Sequence, residues 1–463
     1  MKQLARIHDL YRPVAERVRD YQEVERRLPV GTIREQASRC ADCGIPFCHG
    51  AGCPLGNFVP DFNAAAAAGN WSEAYRLLSQ TSFFPEFTCR ICPALCEGAC
   101  CQGVAGEPVM IRQCEKAIIE TAFQRGMVRP VRPAARNGRR IAVVGSGPSG
   151  LFAAEALNRA GFSVTVYEAL HRPGGLLRYG IPDFKLDKRV IDRRLEIMKA
   201  SGIEFVTDTR IGQDISGTYL TRHFDATVLA IGTPAARDLT IPGRELKGVH
   251  FALEFLRAQT RLNHGENSEN PLNAGGKRVL IIGGGDTGSD CAGTAIRQGA
   301  AEVRQIEIMP MPPESRSPST PWPQWPWMLR TSSSHLEGCA REWNLASDRF
   351  LGNDEGRVTG VEAHQVEWAL SPEGRPLKPT AVAGSKRIIE CDMALLALGF
   401  TGVPAEGLAA ELGLNRTPRG ALVSAPERHI YALGDCANGA SLVVRAMADA
   451  KKVTRKIIED MLG

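Results

Sequence analysis

Residues 140–168 read RIAVVGSGPSGLFAAEALNRAGFSVTVYE. A branched apolar run leads into Gly145, Gly147 and Gly150. A helix-forming stretch follows, then a second apolar run closed by Glu168. This pattern predicts a strand, a glycine turn, a helix and a parallel strand, the fingerprint of a dinucleotide-binding βαβ unit. The first glycine makes the turn, the second lets a pyrophosphate approach the backbone, and the third lets helix and strand pack closely. The helix N-terminus then offers free N–H groups to phosphate. Glu168 is placed to accept hydrogen bonds from ribose hydroxyls.

The pattern recurs at 276–307, GKRVLIIGGGDTGSDCAGTAIRQGAAEVRQIE. Here Gly283, Gly285 and Gly288 carry the glycine positions, and Asp286 and Thr287 stand where the helix opens. Two such units in one chain predict two nucleotide sites. A third signal lies in IYALGDCANGASLVVRAMADAKKV, where a strand runs into Gly434-Asp435 and then a helix. Upstream, TVLAIGT and MALLALGF are apolar runs that end in glycine. Two-dinucleotide flavoproteins often close their flavin domain this way, with the acid, here Asp435, near the ribityl chain or pyrophosphate of FAD. The first fingerprint is therefore given to FAD and the second to a nicotinamide nucleotide.

Ahead of these units lies a different kind of sequence. Ten of the fourteen cysteines fall between Cys40 and Cys114. One run is C-x2-C-x4-C-x4-C-P, from Cys40 to Pro54; the next is C-x2-C-x3-C-x3-C-C, from Cys89 to Cys101. In a reducing compartment such clustering favours a metal or redox centre over disulfides. Zinc takes four ligands, usually as two close pairs. Tight thiolate triplets with a final C-P are closer to the iron–sulfur pattern. Zinc stays open as the alternative on spacing alone.

The other properties are those of a soluble enzyme. Of 463 residues, 43% are apolar and 23% charged, and a net charge of +5 gives no argument for nucleic acid or membrane binding. No apolar run reaches the roughly 18–20 residues of a membrane span. The charged start MKQLARIHDLYRP lacks a signal-peptide core, so the expected location is the cytoplasm. Residues 1–30 look helical. GNWSEAYRLLSQ, the alanine run at 64–68 before it, and EKAIIETAFQ predict further helices. VRPVRPAARNGRR reads as a linker.

The fold class is thus α/β: two Rossmann-like dinucleotide-binding domains, for FAD and NAD(P)H, preceded by a mainly α-helical, ferredoxin-like iron–sulfur domain. The expected boundaries are 1–135 for the cysteine domain, 139–250 with 390–463 for FAD, and 251–389 for NAD(P)H. Nicotinamide delivers hydride, flavin splits the electron pair, and clusters take single electrons, so such a chain converts two-electron to one-electron transport. No side-chain nucleophile or acid–base pair is expected at its centre.

With these motifs the chain resembles the small (beta) subunit family of bacterial glutamate synthase, nearly end to end. The likeness rests on CADCGIPFCHGAGCPLGN, CPALCEGAC, VVGSGPSGL, RPGGLLRYGIPDFKL, IIGGGDTGSDC and PPESRSPSTPWPQWPWMLRTSSSH. It implies two 4Fe-4S clusters. Cys40, Cys43, Cys48 and Cys100 would hold one, and Cys53, Cys92, Cys96 and Glu115 the other, with Cys89, Cys101 and Cys114 spare. The family reads C-x3-C where Cys48 and Cys53 have four residues between them, an addition that a glycine-rich turn can absorb. Gly174, Gly175, Leu176 and Arg178 match a flavin-contacting loop.

The resemblance also implies NADPH, with Arg304 and Arg316 nearby to receive its phosphate. Glu307, aligned with Glu168, suits NADH instead, and both nucleotides stay open. No glutamine-hydrolysing nucleophile is apparent, so the implied partner is a large (alpha) subunit that makes glutamate from glutamine and 2-oxoglutarate. The alternatives are a related oxidoreductase with ferredoxin or a pyrimidine as acceptor, and a zinc-stabilised binding module.

Overall fold

The computed structural model describes residues 4–371 and 376–463. Each glycine fingerprint sits at the middle of its own five-stranded parallel sheet. The first sheet runs in the order Ile430–Ala432, Ala226–Leu229, Arg140–Val144, Ser163–Tyr167, Glu204–Val206. The second runs Val249–Phe251, Met393–Leu396, Arg278–Ile282, Glu302–Ile306, Ala340–Glu342. Both glycine strands are covered on both faces, which explains their unbroken apolar runs IAVV and VLII. In each sheet the chain crosses over in both directions from the glycine strand, and ligands bind at the carboxyl ends where strand order reverses in this way.

The second sheet corrects one boundary. Met393–Leu396, within MALLALGF, pairs with Arg278–Ile282 and so belongs to the nicotinamide domain, not to the returning flavin segment expected from residue 390. Val249–Phe251 joins the same sheet, which also moves the first crossing back from residue 250. The chain passes between the two domains where Ala235–Ala236 and Phe400–Gly402 form a short antiparallel ribbon. The flavin domain resumes there and ends in the helix Val443–Leu462, which packs on the helix Pro148–Arg159. Antiparallel strands between 345 and 390 complete the nicotinamide domain.

The cysteine domain is helical, with Val30–Ala37, Val59–Ala67, Trp71–Ser79, Pro85–Ile91 and Ile111–Gln124 as its main elements. Asn70 starts one of them by accepting the N–H of Glu73 at 3.2 Å. Phe62, Leu78, Phe84, Phe87 and Ile118 fill the core. The expected helix over residues 1–30 is replaced in the described part by one turn, Val14–Arg17. Tertiary partners override the local pattern there. Arg17 Nε meets Glu337 Oε1 at 2.6 Å and Arg297 Nε donates to Asp20 O at 2.9 Å, while Arg6 pairs with Glu97, Glu23 with Arg90 and Glu25 with Arg112, so the segment ties the cysteine domain to the second glycine-turn domain. Among the described residues no helix is long and apolar enough to cross a membrane.

Candidate active site and cluster sites

The first glycine turn is built by close contact. Gly145 has φ +102°, and a Cβ there would lie 2.5 Å from Ala230 O. A Cβ on Gly150 would collide with Gly145 O, whereas Gly147 faces open space. Glu168 Oε2 accepts the N–H of Ser146 at 3.2 Å and Oε1 that of Leu170 at 2.9 Å, fixing the acid beside the turn. The RPGG loop lies over it. Gly174 N donates to Ser146 Oγ at 2.9 Å, and a Cβ on Gly175 (φ +51°) would sit 2.8 Å from Gly147 Cα. Gly434 packs against Ser149, and its N–H donates to Asp449 at 2.7 Å.

These pieces border a cavity of about 640 Å³. Gly145, Gly147, Glu168, Gly175, Leu176 and Asp435 line it. Asp435 accepts from Ser441 Oγ at 2.7 Å, and burial raises its pKa. Arg257 is a lining residue that the sequence does not announce. Among the described residues its Nε has no hydrogen-bond partner, and burial lowers its pKa against the pull of Glu254, so the cavity wall carries a buried donor suited to an anionic ligand. Open turn, an acid beside it and the Arg257 donor together fit a flavin dinucleotide. Arg178 departs from expectation. It is buried with Nε on Pro173 O at 2.7 Å and Nη2 on Asp192 at 2.5 Å, so it braces the loop and does not line the cavity.

The nicotinamide turn repeats the construction. Gly283 has φ +121° and packs against Ala397 O, Gly288 packs against Gly283 O and Gln305, and Gly285 faces open space. Gln305 Nε2 donates to Gly283 O at 2.7 Å, and His335 Nε2 lies 2.8 Å from Gln305 Oε1. Burial, with help from Arg341, lowers the His335 pKa to about 4, so the ring is neutral and can serve as a fixed brace for the turn. Asp286 and Thr287 line the same cavity as the flavin turn, which brings both nucleotide units to one space. The two expected phosphate arginines are already engaged. Arg304 pairs with Glu302 at 2.9 Å and Glu342 at 2.8 Å. Arg316 donates to the carbonyls of Thr320, Gln324 and Gly98 at 3.1, 2.6 and 2.9 Å.

Arg316 belongs to a strap over 311–335 that leaves the nicotinamide domain and lies on the cysteine domain. Trp325 packs against Gly98, between Cys96 and Cys100, and Trp322 meets Phe47 with ring centroids 4.5 Å apart.

All fourteen cysteines are free thiols. Cys53, Cys92, Cys96 and Glu115 line one small cavity. Burial pushes the Cys53 thiol up to about 12 and, against the Asn57 hydrogen bond, the Glu115 carboxyl up to about 7. A positive centre in the cavity would favour the ionised form of both groups, the form that metal ligation requires. Asn57 Nδ2 donates to Glu115 Oε1 at 2.9 Å and is itself fixed by Thr81 Oγ1, which donates to Asn57 Oδ1 at 2.8 Å.

The other quartet also gathers. Burial raises the Cys48 thiol to about 12, with Cys100, Cys40 and Cys43 adding to the effect. Cys101 is not remote: burial raises the Cys43 thiol's pKa and the neighbouring Cys101 adds to the effect. Cys89 is buried elsewhere, against Ile119 and Ala122. The added residue after Cys48 is taken up in a wide turn, with Cys53 N donating to Cys48 O at 2.9 Å. Among the described residues no three His, Cys, Asp or Glu side chains converge closely enough for a single metal ion. Cys53, Cys92, Cys96 and Glu115 on one cavity are a donor set that fits an iron–sulfur cluster.

The flavin and cluster cavities are neighbours. Ile91 lines the first and Cys92 the second; Val443 lines the first and Val444 the second. Nothing in the sequence marks Ile91 or Val443 as part of that wall.

Residues 17–127 match the family model described as dihydropyrimidine dehydrogenase domain II, 4Fe-4S cluster, and residues 139–318 match pyridine nucleotide-disulphide oxidoreductase. A structure titled "Mycobacterium tuberculosis FprA in complex with NADPH" aligns with TM-score 0.54 and 19% identity over 71% of this chain and 85% of that one, a likeness of fold. "Glutamate synthase [NADH]" of Schizosaccharomyces pombe is 42% identical over 96% of this chain, which spans 22% of that protein. "Glutamate synthase [NADPH] small chain" of Escherichia coli is 32% identical over 98% of this chain and 97% of its own length. The protein of the same name from Mycobacterium tuberculosis H37Rv is 46% identical, covering 98% of this chain and 93% of its own. The chain belongs to the glutamate synthase small-chain family.

Proposed function

We propose that this protein is the electron-input subunit of a glutamate synthase, an NAD(P)H-dependent flavoprotein oxidoreductase working in the cytoplasm. It would carry FAD and two 4Fe-4S clusters and pass electrons to a large subunit that makes glutamate. The observation that carries this reading is the shared cavity. Asp286 and Thr287 of one nucleotide unit and Gly147, Gly175 and Asp435 of the other face the same space, one residue away from the Cys53–Cys92–Cys96–Glu115 cavity.

Bound flavin supplies the conversion of hydride into single electrons. The chain's own residues position the parts. The open positions at Gly147 and Gly285, each at the start of a helix, offer backbone N–H groups to a pyrophosphate. Glu168 would hold the ribose of FAD. Leu176 and Val443 give the cavity apolar walls. Cys40, Cys43, Cys48 and Cys100 would ligate one cluster. Cys53, Cys92, Cys96 and Glu115 would ligate the other, with Thr81 and Asn57 orienting the carboxylate.

The test is anaerobic purification with iron, sulfide, zinc and flavin assay, followed by NAD(P)H titration. About eight iron and eight sulfide per FAD supports two cubane clusters, and bleaching of the flavin by nucleotide supports the electron path. Zinc without sulfide sinks it. Glutamate formation on adding the large subunit, and not without it, identifies the acceptor.

A further inference from the structure

The two glycine turns agree down to single hydrogen bonds. Gly145 N donates to Tyr167 O at 2.8 Å, and Gly283 N to Ile306 O at 2.9 Å. The residue after each first glycine then donates to the acid that follows the second strand. Ser146 N reaches Glu168 Oε2 at 3.2 Å, and Gly284 N reaches Glu307 Oε2 at 2.5 Å. The other oxygen takes the amide two residues on. Leu170 N lies 2.9 Å from Glu168 Oε1, and Met309 N lies 3.0 Å from Glu307 Oε1. Glu307 is therefore held where Glu168 is held, at the ribose-reading position of its unit. Glu168 also accepts from the Ser146 hydroxyl, a bond that Gly284 cannot offer to Glu307. A carboxylate has about four acceptor sites, so after binding its two amides Glu307 keeps acceptors for a vicinal diol.

A phosphate on the ribose 2′-oxygen would meet that carboxylate head on. Recognition of such a phosphate needs a cation close to this position. None follows the acid in IMPMPPES (308–315). Arg304 is committed to Glu302 and Glu342, and Arg316 to three carbonyls at the cysteine-domain contact. Arg330 stacks on Trp325 and feels Asp286 at the mouth of the helix. From this geometry we infer that Glu307 selects the unphosphorylated nucleotide, NADH, over NADPH. The inference rests on the reading of the second unit as the nicotinamide site.

The test separates the two. Anaerobic calorimetry on the FAD-loaded protein compares ADP-ribose with 2′-phospho-ADP-ribose, probes that carry no nicotinamide and so report binding alone. ADP-ribose is expected to bind at least tenfold more tightly. Glu307→Gln, which keeps the shape and removes the charge, is expected to narrow that gap. With ferricyanide as acceptor, kcat/KM for NADH is expected to exceed that for NADPH at least tenfold. Equal or tighter binding of the phosphorylated probe to the unmodified protein overturns the inference, as does binding of neither probe. Selective binding of ADP-ribose without NADH oxidation leaves the inference standing and refutes the electron-input function.

Discussion

Replacing Glu337 with glutamine is expected to release the N-terminal segment from the nicotinamide domain. The Glu337 carboxylate has no exposed surface and sits between two guanidinia. Arg17 Nε lies 2.6 Å from Oε1 and Arg297 Nη1 lies 2.6 Å from Oε2; their side chains are 3% and 0% exposed. Glutamine keeps the volume but removes the charge that joins the two arginines. Breaking a buried pair by neutralising one partner typically costs about 3–5 kcal/mol, because the remaining charge stays desolvated. Arg17 keeps Ser333 O and Arg297 keeps Asp20 O, which sets the lower end of that range as the expected value. With a urea slope of about 1–3 kcal/mol per molar, the first unfolding transition should fall by about 1 M or more. Limited proteolysis should open cleavage sites between residues 4 and 29 in the same variant. A midpoint shift below about 0.3 M, with an unchanged proteolytic pattern, would refute the claim that this triad fastens the segment.

Gly150→Ala places a methyl group against Gly145 O and is expected to cost at least about 1–3 kcal/mol of overpacking strain. The purified variant should lack FAD, and a full flavin-to-protein absorbance ratio would count against the turn as its site. Glu115→Ala should halve the iron and sulfide content while Cys89→Ala leaves both unchanged; equal iron in all three proteins would remove Glu115 from the ligand set. His335, whose pKa is held down to about 4 by burial and Arg341, takes up a proton more readily unfolded, where its pKa is about 6.5. Stability should therefore be lost as pH falls from about 6.5 to 4. His335→Gln should flatten that part of the thermal stability profile, and identical slopes for the two proteins would show that the ring does not titrate this way.

Much of the layout was readable because its signals are local. Each glycine turn lies within thirty residues of the acid that closes its own unit, Gly145 to Glu168 and Gly283 to Glu307, and that spacing fixes both geometry and chemistry. The cysteines that share a cavity carried a ligand pattern, and the added residue after Cys48 announced its turn through HGAG. What failed to show was set by distance along the chain. MALLALGF and TVLAIGT have the same apolar-then-glycine form, so nothing local says that they enter different sheets. Arg178 lies in a flavin loop yet turns inward to Asp192, a partner fourteen residues away. Residues 1–30 read as helix because their charges and apolar positions mix as on an amphipathic surface, while the partners of the described part are distant in sequence, on the cysteine domain at Glu97, Arg90 and Arg112 and on the second glycine-turn domain at Glu337 and Arg297. Asn57 and Thr81, which hold Glu115, are ordinary polar residues until the fold brings them together.

The strap over 311–335 bears on how such a protein can be recombined. Trp325 needs a residue without a side chain at position 98, Arg316 needs the carbonyl of that same residue, and Trp322 needs the ring of Phe47. These three requirements cross from the nicotinamide domain into the loops that carry Cys48, Cys96 and Cys100. The two modules are therefore not interchangeable parts. A chimera that grafts the nicotinamide domain of a relative onto this cysteine domain inherits a mismatched seam unless the strap and its seat are exchanged together. Sequence drift on one side of the seam is tolerated only when the other side follows.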